Sequence, residues 1–264
     1  MNPDSPLTVR VNERRTPPLG GFNLTFLSIE IRRLLRNRRT VVVTIVVPVV
    51  LFLLFRANRR SGALEGIGFT AATTMIGVAV YGAMLAATSG GAMVSVERAQ
   101  GWSRQLRLTP LQPAAYIAIK IIVAMLLGLT SVAVVYVIGA ISGVEMTPLT
   151  WVATGILAWA ASLVFASFGL FMGYLLPTEN VMQVIGPILA VFALFGGLLV
   201  PLTLLPSVIQ DIAPFAPTYG VASIARFPLV GGGFDPIWLL SVILWTLAFA
   251  AAAVVLFRRD TRRA

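Results

Sequence analysis

Residues 66–96 read GIGFTAATTMIGVAVYGAMLAATSGGAMVSV, a run without one charged side chain, and Glu97 and Arg98 follow it at once. A helix needs about 20 apolar residues to cross the hydrocarbon layer of a bilayer. This run is longer than one crossing requires and predicts a membrane span that ends where the two charges begin. Five further apolar segments flank it, over residues 40–55, 121–144, 151–176, 180–205 and 237–257. The first is short for a span, and Arg56 at its end can extend its side chain outward to the interface. Pro48 and Pro187 fall inside two of these segments, which a membrane bundle tolerates because neighbouring helices satisfy the freed backbone groups.

The bulk composition agrees. Of 264 residues, 58% are hydrophobic and only 11% charged, whereas a soluble domain carries about 25% charged residues. So few charges cannot cover a core of this size in water, and lipid resolves the mismatch. The net charge of +10 would suggest nucleic acid in a soluble domain. Here the basic residues flank apolar runs, which points to an anionic inner leaflet instead. Cysteine and histidine are both absent, so disulfides, thiolate and imidazole metal sites and a Ser-His-Asp triad are all excluded. Among the carboxylates, Glu65, Glu145, Glu179 and Asp211 fall in separate connections. No catalytic constellation and no resident cofactor is expected. The first apolar run starts only after a long basic stretch and lacks a small-residue cleavage site, which argues against a cleaved signal.

The organisation follows from these segments. Residues 1–21, rich in Pro and Arg, read as a disordered cytoplasmic tail. Over residues 22–39, Leu24, Leu27, Ile31, Leu34 and Leu35 recur at helical spacing opposite Glu30, Arg32, Arg33 and Arg36. That stripe predicts an amphipathic helix lying in the membrane interface; a soluble helix packed on a partner would show the same pattern. Residues 40–257 form the six-span domain and 258–264 a basic cytoplasmic tail. Sixteen of the 20 Lys and Arg residues fall on the side of the termini and the 97–120 connection, so the positive-inside rule makes both termini cytoplasmic. Segment 201–236 is apolar yet broken by Pro201, Pro206, Pro214, Pro217 and Pro228, which suits short helices re-entering the outer membrane face. The expected fold class is an all-α integral membrane protein of six spans, with an amphipathic interfacial helix and short re-entrant outer helices between spans five and six.

Two motifs carry more than composition. Residues 97–111 read ERAQGWSRQLRLTPL: Gly101 permits a tight bend, Arg104 and Arg107 share a helical face, and Pro110 ends the helix. Such a short helix below the membrane is either a lever for a cytoplasmic partner or an ordinary basic anchor. Residues 196–206 read GGLLVPLTLLP, and residues 212–220 read IAPFAPTYG. Both motifs, in this order within a six-span layout, resemble the permeases of type-2 ABC exporters, most closely the daunorubicin-exporter-like branch without large extracellular domains.

The resemblance implies a bacterial cell (plasma or inner) membrane location and a permease that works as a pair with a second, identical or sibling, permease. Two copies of a cytoplasmic ATPase would hold the ATP and magnesium. It assigns Glu97, Arg98, Gly101, Arg104, Arg107 and Pro110 to a coupling helix that touches the ATPase, and Glu30, Arg32, Arg33 and Arg36 to a second contact on the interfacial helix. The second and fifth spans would line the path, with Thr70, Thr73, Thr74, Met75, Tyr81, Phe192 and Phe195 as candidates for an amphipathic guest. Each of these also suits plain helix packing. Gly196, Gly197, Leu198, Leu199, Val200 and Pro201 would form an outer gate. The chain itself has no G-x-x-x-x-G-K-[ST] sequence and cannot cradle nucleotide in that manner. A secondary transporter or channel working without ATP is the alternative; it calls for buried carboxylates, and none is evident in the sequence. A non-transporting membrane scaffold is a third reading. Because the chain lacks cysteine, single substitutions report topology without background. Arg104→Cys is expected to react with a membrane-impermeant maleimide only after the inner face is opened, and Gly232→Cys to react on intact cells.

Overall fold

A computed structural model describes residues 24–60, 70–101 and 112–263, and every regular element among them is helical. In chain order these are α1 (Leu24–Arg36), α2 (Arg38–Arg60), α3 (Ala71–Ala92), α4 (Val94–Ala99), α5 (Pro113–Ile141), α6 (Pro148–Ala161), α7 (Leu163–Leu175), α8 (Thr178–Phe195), α9 (Ser207–Ile212), α10 (Pro217–Val230) and α11 (Pro236–Arg263). Short 3₁₀ turns at Leu202–Leu204 and Ala213–Phe215 flank α9. Four helices open on proline, where the missing N–H costs nothing. Thr70 and Thr147 cap α3 and α6 by accepting from the backbone N–H of Thr73 (3.1 Å) and Thr150 (3.3 Å).

Among the described residues, five helices are long and apolar enough to cross a membrane: Ala71–Ala99, Ala114–Ile141, Pro148–Leu175, Thr178–Phe195 and Pro236–Asp260. The first and third each join two helices across a slight break, at Met93 and Ser162. The segment expected as the first span is helical as α2, but its apolar centre, Thr44–Ala57, is shorter than the other five. The expected fifth span does not reach residue 205. It stops at Phe195, because Gly197 takes φ +56°, and the N–H groups of Gly197 and Leu198 turn back to the carbonyls of Leu194 and Ala193. That paired closure is the Schellman helix ending, which requires a left-handed residue after the cap. At the other end of the chain, α11 continues without a break through Arg258 and Arg259 to Arg263.

The centre of the fold is α3. Of the residues in its span window 78% are buried, against 11% for α11, so α3 is the core helix and α11 a peripheral one. It packs against α2, α5, α6, α7, α8 and α10. Around it, Leu240, Leu244 and Leu247 of α11, Val152 and Ile156 of α6 and Val137 and Ile141 of α5 all face outward. Apolar faces this extensive need an apolar solvent.

Small residues make the core close. A Cβ on Gly91 would come within 2.6 Å of the Ala166 carbonyl oxygen of α7, and one on Gly90 within 2.9 Å of Ala124 Cα in α5. A side chain on Gly169 of α7 would run into the Thr88 carbonyl of α3. The two helices therefore touch backbone to backbone at reciprocal glycines, the device membrane bundles use in place of a hydrophobic driving force. Pro48 of α2 sits over Gly82 in the same manner, 2.6 Å from where its Cβ would be. Gly169→Leu is expected to overpack this seam and destabilise the bundle by about 1–3 kcal/mol or more, read as a lower melting midpoint in fluorescence-detected size-exclusion chromatography. Gly186→Ala, where nothing lies within 4 Å of the added Cβ, is expected to leave that midpoint within a degree or two, since it creates no clash and replaces glycine by a better helix former.

Candidate functional site

At the end of α3–α4 that carries Glu97 and Arg98, charged residues from four helices converge on one another and on the last carbonyls of a fifth. Glu30 and Arg33 lie one turn apart on α1, and Tyr116 and Lys120 one turn apart on α5, so each pair shares a helix face. Glu97 stands in the first turn of α4. Lys120 Nζ donates to Glu30 Oε2 (2.6 Å) and to Glu97 Oε1 (2.5 Å). Arg33 adds a bond from Nη1 to Glu97 Oε1 (3.0 Å), and the Tyr116 hydroxyl donates to Glu97 Oε2 (2.5 Å). Glu30, Glu97 and Lys120 are each no more than 5% exposed. The Lys120 ammonium also lies 5.4 Å from the Tyr116 ring centre. Stacked rings cover the cluster: Phe26 on Tyr116, and Tyr116 on Phe257. A cavity of about 350 Å³, lined by Glu30, Arg33, Arg36, Glu97, Gln100 and Lys120 among others, opens beside it.

The next residue, Arg98, points to the other side of the fold. Its Nη2 pairs with Asp260 Oδ1 of α11 (2.9 Å), and Nη1 donates to the carbonyls of Gly173 (3.2 Å) and Tyr174 (2.9 Å). Those are orphan carbonyls in the last turn of α7, where a cation is favoured. Thr178 at the start of α8 donates to the Ser95 carbonyl (2.8 Å). Glu97 thus holds α1 and α5, and Arg98 holds α7 and α11, so a displacement of α4 moves four other helices. Gly101 ends α4 with φ +74°, and its N–H donates to the Arg98 carbonyl (3.0 Å).

The structure places the other expected residues unevenly. Arg104, Arg107 and Pro110 lie outside the described residues. Arg32 and Arg36 are exposed on α1. Thr73 and Thr74 bond back to the Thr70 carbonyl (2.9 and 3.0 Å), which occupies their hydroxyls within α3. Met75 is wholly buried in the chain. Tyr81 and Phe195 are half-buried, and Phe192 packs on Phe168 at 5.3 Å. Gly196 and Gly197 of the turn after α8 are buried along with Leu198, whereas Val200 is 39% exposed. The turn is strapped to α10 by Thr218 Oγ1 donating to the Phe192 carbonyl (2.6 Å) and by Arg226 Nη2 donating to the Gly197 carbonyl (2.6 Å).

One expectation is corrected. The sequence shows no buried carboxylate, yet Glu30 and Glu97 are buried. They are separated by 67 positions, and only the docking of α1 against α4 and α5 shuts both from water. Lys120, Tyr116, Asp260, Thr218 and Arg226 are the residues that linear reading misses as site members. Lys120 carried a signal, as the single lysine of the chain, one helical turn from a tyrosine.

Apolar spanning helices packed through glycine, with a charged junction at one end, define a polytopic helical membrane protein. Residues 23–227 match the sequence model of the family described as ABC-2 type transporter, and the chain belongs to that family. It is also 27% identical over 236 residues to a Bacillus subtilis (strain 168) protein named "Putative transport permease YvfS", covering 88% of this chain and 95% of that one. The chain is accordingly a membrane transport permease of a family that implies association with an ABC ATPase.

Removing the ammonium from the junction leaves two buried carboxylates short of their cation. Lys120→Met is expected to destabilise the protein by about 3–5 kcal/mol, measured as loss of the monodisperse peak on mild heating. Lys120→Met combined with Glu30→Leu and Glu97→Leu is expected to recover most of that loss, since apolar replacement of a whole buried ion cluster is close to neutral.

Proposed function

We propose that this chain is the membrane half of an ATP-driven exporter, paired with a second permease around a shared path and powered by two ATPase subunits on the cytoplasmic side. In this reading α2 crosses the membrane as the first of six spans. Its 23 residues cover about 34 Å at the helical rise, enough for the hydrocarbon layer with arginines at either surface. Both termini are cytoplasmic, α1 lies along the inner surface, and α9 and α10 re-enter from the outer face. The guest is a hydrophobic or amphipathic molecule such as a drug, antibiotic or lipid.

The observation that carries the reading, beyond family membership, is the junction at Glu97 and Arg98. An ATPase pushing on segment 102–111 or on α1 meets a body in which α1, α4 and α5 are tied by buried ion pairs and α7 and α11 by Arg98. The push therefore reaches the core helix α3 rather than dissipating in a loose loop. The buried carboxylates do not favour the secondary-transporter alternative, because Lys120, Arg33 and Tyr116 already occupy Glu97 and Lys120 occupies Glu30. A proton-coupled site needs a carboxylate free to exchange.

Purification from native membranes is expected to recover an ABC ATPase with this chain, and reconstituted ATPase activity is expected to respond to substrate. Arg104→Glu combined with Arg107→Glu should abolish that response while membrane insertion persists. Recovery of no ATPase, with transport undisturbed by ATP depletion, rejects the proposal.

A further inference from the structure

Every buried or half-buried cation of the inner junction faces an acid: Lys120 two of them, Arg33 one and Arg98 one. Arg226, on α10, does not. Its guanidinium reaches between α3 and the end of α8, where Nη2 donates to the Gly197 carbonyl (2.6 Å). Its Nε is shut off from solvent and has no partner, and among the described residues no carboxylate stands within ion-pair distance. A guanidinium is not deprotonated in proteins, so Arg226 remains a cation at neutral pH.

An arginine offers five N–H donors and no acceptor, and a carbonyl at a helix C-terminus supplies only part of a negative charge. Charge at membrane depth without a counter-ion is costly and marks function by default. Gly77 of α3 lets both the outer turn and this side chain come close: a Cβ there would run into the Leu198 carbonyl and lie 2.9 Å from Arg226 Nη2. Beside it on α10, Phe227 begins an aromatic cluster with Phe234 (5.4 Å) and Trp238 (6.4 Å). Phe234 is 44% exposed, so the cluster presents an apolar surface that starts one residue along α10 from Arg226. Val200 in the outer turn is 39% exposed as well.

We propose that Arg226 binds the acidic head of an amphiphile, a carboxylate or phosphate carried on an apolar body, at the outer end of the permease. The site is a fixed guanidinium whose missing counter-ion arrives with the guest, and the neighbouring rings seat the apolar part. This deepens the transport reading and rests on it for the guest's passage, but not for its binding. The preference is for anionic over neutral or cationic amphiphiles of the same length.

The test is equilibrium binding to the purified full-length permease in nanodiscs of zwitterionic lipid, by displacement of a fluorescent fatty acid. Dodecanoate and dodecyl phosphate are expected to compete at least tenfold better than dodecanol or dodecylamine. Arg226→Gln is expected to remove that margin while leaving dodecanol competition unchanged, and Arg226→Lys to retain part of it, since the charge survives but the planar fork does not. Equal competition by all four compounds in the native protein overturns the proposal, as does an undiminished margin in Arg226→Gln. Displacement by millimolar inorganic phosphate alone overturns the amphiphile assignment and marks a free-anion site. If Arg226→Gln does not give a monodisperse protein, the native comparison and Arg226→Lys decide: an Arg226→Lys margin equal to the native one also counts against the proposal. None of these outcomes depends on ATP, so an absent ATPase partner rejects the exporter reading without touching this one.

Discussion

The close approach of α3 to its neighbours is the constraint on which the rest depends. Lipid gives apolar side chains no reason to leave it for one another, so association must come from contact quality and from polar groups satisfied between helices. In α3 almost every inward residue is Gly, Ala, Thr, Val or Met. Gly90 and Gly91 let α5 and α7 reach backbone distance. Thr88 then donates to the Phe165 carbonyl (3.3 Å) across the same seam. With that seam fixed, α2, α6, α8 and α10 have one surface to settle on, and the outward apolar faces are left for lipid.

Among the described residues, the ionic contacts and the buried arginine sit at the two ends of this core, and the two ends differ. At the inner end the charges balance and are mutually hydrogen-bonded, an arrangement whose worth lies in defining which helices move together rather than in net stability. At the outer end a turn built from two glycines is held by one hydroxyl and one guanidinium, both donating to carbonyls. A satisfied junction transmits; a sparsely satisfied one is free to rearrange.

How much of this was legible in the sequence depends on the range of the interaction. Span 151–176 and the amphipathic helix over 22–39 came from hydropathy and local periodicity, and α6–α7 and α1 lie within a few residues of those bounds, whereas α5 begins at Pro113, eight residues before the expected 121. The weakness of the first span as a signal was also visible, since its apolar stretch is bracketed by arginine. The end of α8 was misjudged because Leu198 to Leu205 is as apolar as the helix before it. Only the backbone turn at Gly197, which hydropathy cannot register, separates them. Glu97 and Arg98 were singled out as a motif, but their partners Arg33, Tyr116, Lys120, Tyr174 and Asp260 lie 19 to 162 residues away. Segment 102–111, with Arg104 and Arg107, stands outside the described residues, and its role rests on resemblance.

The opposed directions of Glu97 and Arg98 have an evolutionary corollary. Successive residues on a helix are about 100° apart, so one inserted or deleted position between Met93 and Arg98 would swing Glu97 off Lys120 and Arg98 off Asp260 together. No single later substitution could repair both. Chain length there is frozen by two independent partners at once, whereas beyond Gly101 no such double tie is present among the described residues. Relatives of this permease should therefore keep the spacing from Met93 to Arg98, leaving those few residues as a ruler that sequence drift can recolour but not stretch.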